Sequence, residues 1–215
     1  MQTAKGYTHV IWDWNGTLFD DVDWCLEILN TMLSKRGIKT LRSIPEYHSV
    51  FCFPIIDYYK KVGFDFSIEP FEELAEEYIA LYHSNKSGNC KLFPQTESIL
   101  AAIKSMGVKQ VILTASEMSN LLLQMSEFDI GHYFDELCGL TDIYGKSKAD
   151  VGLDYVARNK IGRAVLIGDS KHDFEVATAM GVDCVLIAAG HHSKDELLTC
   201  GAPVLDSITQ VVEYL

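Results

Sequence analysis

His9-Val10-Ile11-Trp12-Asp13-Trp14-Asn15-Gly16-Thr17-Leu18 reads as an apolar strand that delivers one carboxylate into a glycine turn built to hold a phosphate. A short, non-alternating apolar run is the pattern of a parallel strand buried on both faces. At the carboxyl end of such a strand, Asp13 faces the crevice in which open α/β sheets bind ligands. Gly16 lets backbone N–H groups approach an anion, and Thr17 adds a hydroxyl. Asn15 stands two residues after Asp13, where a loop of this kind needs a second carboxylate to move protons.

Outward from this loop, further strand-like runs occur at Val108 to Thr114, Ala164 to Ile167 and Cys184 to Ala188. A helix fits Thr96 to Met106 with Gly107 as its stop, and another fits Phe174 to Met180 closed by Gly181. Ser193 and Glu196 have capping-box spacing and open a further helix. Strands alternating with helices give an α/β class with a parallel sheet. Between Asp20 and about Leu92 strands vanish. Leu26, Leu29, Met32 and Leu33 share one helical face, and Phe71, Leu74, Ala75, Tyr78, Ile79 and Tyr82 share another. Glu72, Glu73, Glu76 and Glu77 lie on the wet side of that second helix and read as a solvated face. The expected organisation is a sheet domain of residues 1–19 and 93–215 with an inserted all-helical domain of residues 20–92.

The chain has 215 residues, 48% of them hydrophobic, which suits one α/β domain with an insertion and argues against disorder. Its formal net charge of −12, with no basic stripe, disfavours nucleic acid as a partner. Small phosphorylated molecules remain compatible, because a local cation can reverse the field inside one pocket. The six cysteines show no C-x-x-C pair and read as small buried hydrophobes in a reducing compartment. Met1 to Thr8 is polar, and no run approaches the roughly 18 apolar residues of a membrane helix. A cytoplasmic protein without a membrane anchor is expected; the oligomeric state is not legible.

Four segments at strand ends carry chemistry. They are the Asp13 loop, the hydroxyl-bearing Thr114-Ala115-Ser116, the pair Lys146 and Lys148 around Ser147, and Gly168-Asp169-Ser170-Lys171-His172-Asp173. Together they supply a carboxylate nucleophile, a hydroxyl, a lysine and an all-oxygen site for a hard cation. Magnesium prefers such ligands and keeps room for water and a phosphate oxygen. This is the equipment of phosphoryl transfer.

The order Asp-x-x-Gly-Thr, strand-end Thr, Lys and Gly-Asp-Ser-x-x-Asp resembles the haloacid dehalogenase superfamily over nearly the whole chain. The helical insertion after the first motif, Tyr133-Phe134-Asp135, and Asp173, Ala177, Ala179 and Gly181 after Gly168-Asp169-Ser170 are similar to its phosphoglycolate phosphatase-like branch. The resemblance implies a Rossmann-like core with a helical cap and a Mg2+-dependent phosphatase acting on a small phosphorylated metabolite. In it Asp13 attacks phosphorus to form an aspartyl-phosphate, while Gly16, Thr17, Thr114, Ala115 and Lys146 hold the phosphoryl group. Mg2+ is held by Asp13, the backbone carbonyl of Asn15 and Asp169, with Asp173 one shell further out. Lys148 competes with Lys146 for the lysine role; Lys146 is preferred because Asp150 and the helix after it then fall in the family's register. The resemblance also makes Asp20, Asp21 and Phe51-Cys52-Phe53-Pro54 specificity elements of the cap, although Asp20 and Pro54 equally suit helix starts.

In the family the position of Asn15 is an aspartate that protonates the leaving group and then activates water, work commonly worth about 10²–10⁴-fold. Asn15 cannot exchange a proton. Either water, the substrate or a neighbour such as His172 supplies the transfer, or the protein is an attenuated, phosphate-binding regulator. A third reading is phosphonate carbon–phosphorus cleavage, which needs a cap lysine; Lys35, Lys39, Lys60 and Lys61 are available without a recognisable context. His191 and His192 read as loop residues rather than metal ligands.

Overall fold

The computed structural model describes residues 5–84, 90–141, 147–159 and 161–215. The chain divides into two compact units, Met1–Phe19 with Leu92–Leu215, and Asp20–Lys91.

The first unit is built on six parallel strands in the order β5-β4-β1-β6-β7-β8. These are β1 (His9–Trp12), β4 (Lys109–Glu117), β5 (Glu136–Leu140), β6 (Ala164–Gly168), β7 (Asp183–Ile187) and β8 (Val204–Leu205), while the two-residue β2 (Phe19–Asp20) and β3 (Lys91–Leu92) lie where the chain passes between units. Its helices are α5 (Thr96–Ser105), α6 (Met118–Met125), α7 (Lys148–Asn159), α8 (Lys171–Met180), α9 (Lys194–Leu198) and α10 (Val211–Tyr214). Every residue of β1 is buried, as a strand covered on both faces requires. Ile11 sits in register with Val111 of β4 and Leu166 of β6, and Leu113 with Cys138 of β5. Those side chains form one layer with Tyr155 of α7 and Val176, Ala177 and Met180 of α8.

The chain leaves β1 for β4 on one side and later reaches β6 on the other. The carboxyl end of β1 is therefore the switch point of the sheet, where open α/β folds collect their ligands. Asp13, Thr114 and Asp169 all stand at that edge.

Helix boundaries follow the local chemistry. α5 stops at Gly107 (φ +76°) and α8 at Gly181 (φ +67°), as their sequences predict. α8 begins earlier than its apolar periodicity suggests, at Lys171, because Ser170 caps it: Ser170 Oγ accepts from the Asp173 N–H. Ser193 caps α9 in the same manner through the Glu196 N–H.

The second unit contains α1 (Val22–Lys35), α2 (Ile44–Val50), α3 (Ile55–Val62) and α4 (Phe71–His83). Leu29, Met32 and Leu33 of α1 are buried with Tyr47, Tyr58, Tyr59 and Leu74. Two residues of α4 depart from its expected faces. Ile79 is exposed, whereas Glu77 is drawn from the wet side into a pair with Arg36 at 2.5 Å. The Arg36 guanidinium also grips Glu69 through Nε and Nη2, at 2.5 and 2.7 Å. Cys25 and Cys138 are buried as expected, whereas Cys52, Cys90, Cys184 and Cys200 are partly exposed, which corrects the expectation of buried cysteines for those four. Among the described residues no helix is long and apolar enough to cross a membrane.

Candidate active site

The Asp13 N–H continues the sheet ladder by donating to the Ile167 carbonyl at 2.8 Å, so the Asp13 backbone is fixed by β6. Beyond it, Trp14 reverses the chain. Its carbonyl accepts from the N–H groups of Thr17, Leu18 and Phe19, its ring stacks on Phe19 with centroids 5.3 Å apart, and Nε1 donates to Gln124 of α6 at 2.7 Å. Gly16 takes φ +75°, a left-handed value that favours glycine.

Two expected phosphate contacts have other work in this structure. The Gly16 N–H donates to the Phe19 carbonyl at 2.8 Å, and the Thr17 hydroxyl donates to Asp169 Oδ1 at 3.1 Å. Thr114 is buried at the end of the regular part of β4 and accepts from the Ser116 N–H at 3.1 Å; Ala115 between them is partly exposed. Ser116 Oγ in turn donates to Asn15 Oδ1 at 2.9 Å, which fixes which side of that amide carries its acceptor.

Lys146 lies outside the described residues. Lys148, set second on the sequence, is the lysine found beside Asp13. Ser147 donates from its N–H and hydroxyl to Asp150 Oδ2, at 2.9 and 2.8 Å, and accepts from the Asp150 N–H. That reciprocal cap starts α7 at Lys148, which is only 3% exposed. Its ammonium donates to Asp13 Oδ1 and to Asp173 Oδ1. Among the described residues Lys148 is thus the lysine that faces Asp13.

Asp173 completes the cap of α8, accepting from the Ser170 N–H at 3.0 Å and from its hydroxyl at 2.5 Å on Oδ2 while its Oδ1 faces Lys148. Asp169 accepts from Thr17 on Oδ1 and from the His191 backbone N–H at 2.6 Å on Oδ2. Sequence reasoning missed Gly190-His191 as part of this site. Their one signal is the small-residue run Ala188-Ala189-Gly190 directly after a buried strand. His172, considered as a proton carrier, stands 3.6 Å from Glu175 of its own helix, and burial together with Lys148 pushes its imidazole below the ordinary value.

Asp13, Asp169 and Asp173 offer oxygens within 4.8 Å of one another, all buried. Three carboxylates against one ammonium leave a formal charge of −2. Burial pushes Asp13 well above the usual carboxylate range, and Asp173 and Asp169 push the same way against Lys148. Asp169 is raised to about 6, first by burial, with His191 and its N–H opposing. Burial also works to raise Asp173, but Lys148 and Ser170 outweigh it and hold that carboxyl below its ordinary value. Lys148 is held protonated above its usual range: burial works to lower it, and Asp13 and Asp173 prevail. A pocket of buried carboxylate oxygens with excess negative charge has the donor chemistry of a hard divalent cation.

The family model for haloacid dehalogenase-like hydrolases matches residues 10–187. This chain belongs to that family. A phosphoglycolate phosphatase from Pseudomonas savastanoi pv. phaseolicola is 24% identical over 222 residues, covering 94% of this chain and 78% of that protein. Tyrosine-protein kinase PtkA of Mycobacterium tuberculosis is 30% identical over 130 residues, 57% of this chain and 45% of that one. Among solved structures, a haloacid dehalogenase-like hydrolase from Streptococcus pneumoniae superimposes with a TM-score of 0.82 at 21% identity, covering 97% of this chain and 98% of that chain. That last likeness speaks to the fold: a haloacid dehalogenase-like α/β core.

Proposed function

We propose that this haloacid dehalogenase-like hydrolase is a Mg2+-dependent phosphatase that acts on a small phosphorylated metabolite through an aspartyl-phosphate on Asp13. The ion pair between Lys148 and Asp13, at the edge of the three-carboxylate cluster, carries this reading. Asp13, Asp169 and the backbone carbonyl of Asn15 are the groups assigned to the cation. When bound, Mg2+ would neutralise the negative charge that Asp13 and an incoming phosphoryl group would otherwise share.

The chain's own residues account for the rest. Lys148 orients Asp13 Oδ1 and offsets part of its charge, and Asp173 holds Lys148 in place from the other side. Thr114, at the strand end beside the loop, hydrogen-bonds a phosphoryl oxygen; Ala115 lends its backbone. An Asp13 oxygen attacks phosphorus while the bond to the leaving oxygen breaks with its electron pair, and that oxygen takes a proton from water. A water molecule then attacks phosphorus, the Asp13–phosphorus bond breaks with its electron pair returning to the carboxylate, and the proton lost by the attacking water passes to solvent as phosphate is freed. The Asn15 amide, anchored by Ser116, has no proton to give in the first step and takes none in the second. Slow turnover, grading into a phosphate-binding regulator, is the second reading that Asn15 supports. The net charge of −12 favours a small phosphorylated molecule over a nucleic acid, and the six free thiols suit a reducing, cytoplasmic setting.

Purified protein with Mg2+ is expected to release phosphate from at least one compound of a phosphometabolite panel, and Asp13→Asn to abolish that release. No release from any compound would contradict the proposal.

A further inference from the structure

Both oxygens of the Asp169 carboxylate are held by loops other than its own. Thr17, fully shielded in the loop after β1, donates its hydroxyl to Oδ1 at 3.1 Å. The His191 backbone N–H, in the loop after β7, donates to Oδ2 at 2.6 Å. Glycines permit the approach on both sides. A Cβ at Gly190 would overlap Asp169 Oδ2 and the Gly16 carbonyl oxygen, and one at Gly16 would lie 2.7 Å from Asp169 Cγ and from His191 Cδ2. The loops following β1, β6 and β7 therefore interlock around a single carboxylate.

The character of these donors separates Asp169 from its neighbours. Asp13 and Asp173 both face the Lys148 ammonium. The Thr17 hydroxyl and the His191 backbone amide are neutral donors, so these two hydrogen bonds fix the direction of Asp169 without themselves cancelling its charge, which the His191 side chain opposes. A carboxylate has about four lone-pair sites. With one on each oxygen engaged, rotation of the group is blocked and the remaining lone pairs point in set directions. Carboxylates that ligate metals depend on such outer hydrogen bonds, whose loss commonly costs about 10–100-fold in metal affinity.

We infer that Thr17 and the Gly190–His191 backbone are positioning elements that set the direction of Asp169 and thereby the Mg2+ affinity of the site. The inference rests on the proposed assignment of Asp169 as a cation ligand. It gives Thr17 a role toward the cation instead of toward the phosphate, and it adds the β7–α9 loop to the functional part of the molecule.

The test is calorimetric titration of Mg2+ into the metal-free full chain, without substrate, for wild type, Thr17→Val, Thr17→Ser and Gly190→Ala. Valine keeps the shape of threonine and removes the donor; serine restores the donor. Thr17→Val is expected to weaken Mg2+ binding by about 10–100-fold, Thr17→Ser to return it to near the wild-type value, and Gly190→Ala to weaken it as well. A purely structural role for Thr17 would change unfolding temperature in EDTA without moving the Mg2+ dissociation constant. Wild-type affinity in Thr17→Val would overturn the inference while leaving the cation assignment standing. Wild-type protein that binds no Mg2+ would overturn both. If Gly190→Ala fails to fold, the Val and Ser pair at Thr17 decides.

Discussion

Lys148 donates a hydrogen bond to Asp13 Oδ1 in a site where both side chains are shielded from water. Removing the ammonium leaves Asp13 and Asp173 as buried charges without it, which costs far more than an exposed pair would. Lys148→Met is expected to reduce kcat/KM by about 10²–10³-fold, with Lys148→Arg recovering part of that loss and Lys146→Met changing it much less. Phosphate-release kinetics check this; a larger loss at Lys146 would return the role to that residue.

Under the proposed mechanism, Asn15 sets how the leaving group departs. Because an amide cannot protonate an oxygen, reaction should depend steeply on leaving-group basicity, with aryl and acyl phosphates turned over much faster than alkyl phosphates. Asn15→Asp supplies a proton carrier and is expected to raise kcat on alkyl phosphates by about 10²–10⁴-fold and to flatten that dependence. Ser116→Ala, which removes the hydrogen bond from Ser116 Oγ to the Asn15 amide oxygen, is expected to lower activity in the wild-type background. Rates across a series of phosphate esters of graded leaving-group pKa measure all three.

Asp169 contributes a defined part of the pH response of the metal-free protein, which comparison with Asp169→Asn isolates. Its carboxyl is raised from 3.8 to about 6 on folding, chiefly by burial. Between those values the folded chain holds more protons than the unfolded one, so stability in EDTA falls as pH rises through the window. Asp169→Asn should therefore melt higher than wild type in EDTA at pH near 7, with the difference shrinking as pH drops toward 4. Mg2+ binding needs the ionised form and should tighten over the same interval. Thermal melts of both proteins in EDTA, and wild type in Mg2+, read the two effects.

In the helical unit, Arg36 is the joint between α1 and α4. Its guanidinium spans Glu69 and Glu77 and donates to the Met32 carbonyl at 3.0 Å, with only 12% of the side chain exposed. Arg36→Met is expected to cost about 1–3 kcal/mol, since Glu77 then keeps only the largely exposed Lys35 as a charged donor, at 2.9 Å, and Glu69 loses both of its bonds to the guanidinium. Arg36→Lys should recover little, because lysine lacks the planar fork. Chemical denaturation of the full chain measures both.

Much of this architecture is legible in the sequence because its signals are local. Apolar runs ending in Asp13, Thr114 and Gly168-Asp169 announce buried parallel strands, and Gly107 and Gly181 mark helix stops one residue at a time. What escapes is set by long-range packing. β5 has the mixed sequence Glu136-Leu137-Cys138-Gly139-Leu140 and becomes a strand through its pairing with β4 at the sheet edge. Glu77 looks solvated on a helical wheel, yet the Arg36 partner comes from another helix. Lys148 and Lys146 differ by only two positions, and spacing alone does not show that the Ser147–Asp150 cap starts α7 at Lys148 and turns that ammonium toward Asp13. The Thr17 and His191 contacts to Asp169 join residues 152 and 22 positions apart, beyond the reach of any spacing rule.

The identity of the nucleophile is the central claim. Wild-type protein incubated with Mg2+ and an aryl phosphate, quenched in acid and mapped by peptide mass spectrometry, should carry a phosphoryl group on Asp13. The modification should be absent from Asp13→Asn and short-lived in Asn15→Asp. Phosphate release with no phosphoryl group on Asp13, or release by Asp13→Asn at the wild-type rate, would contradict it.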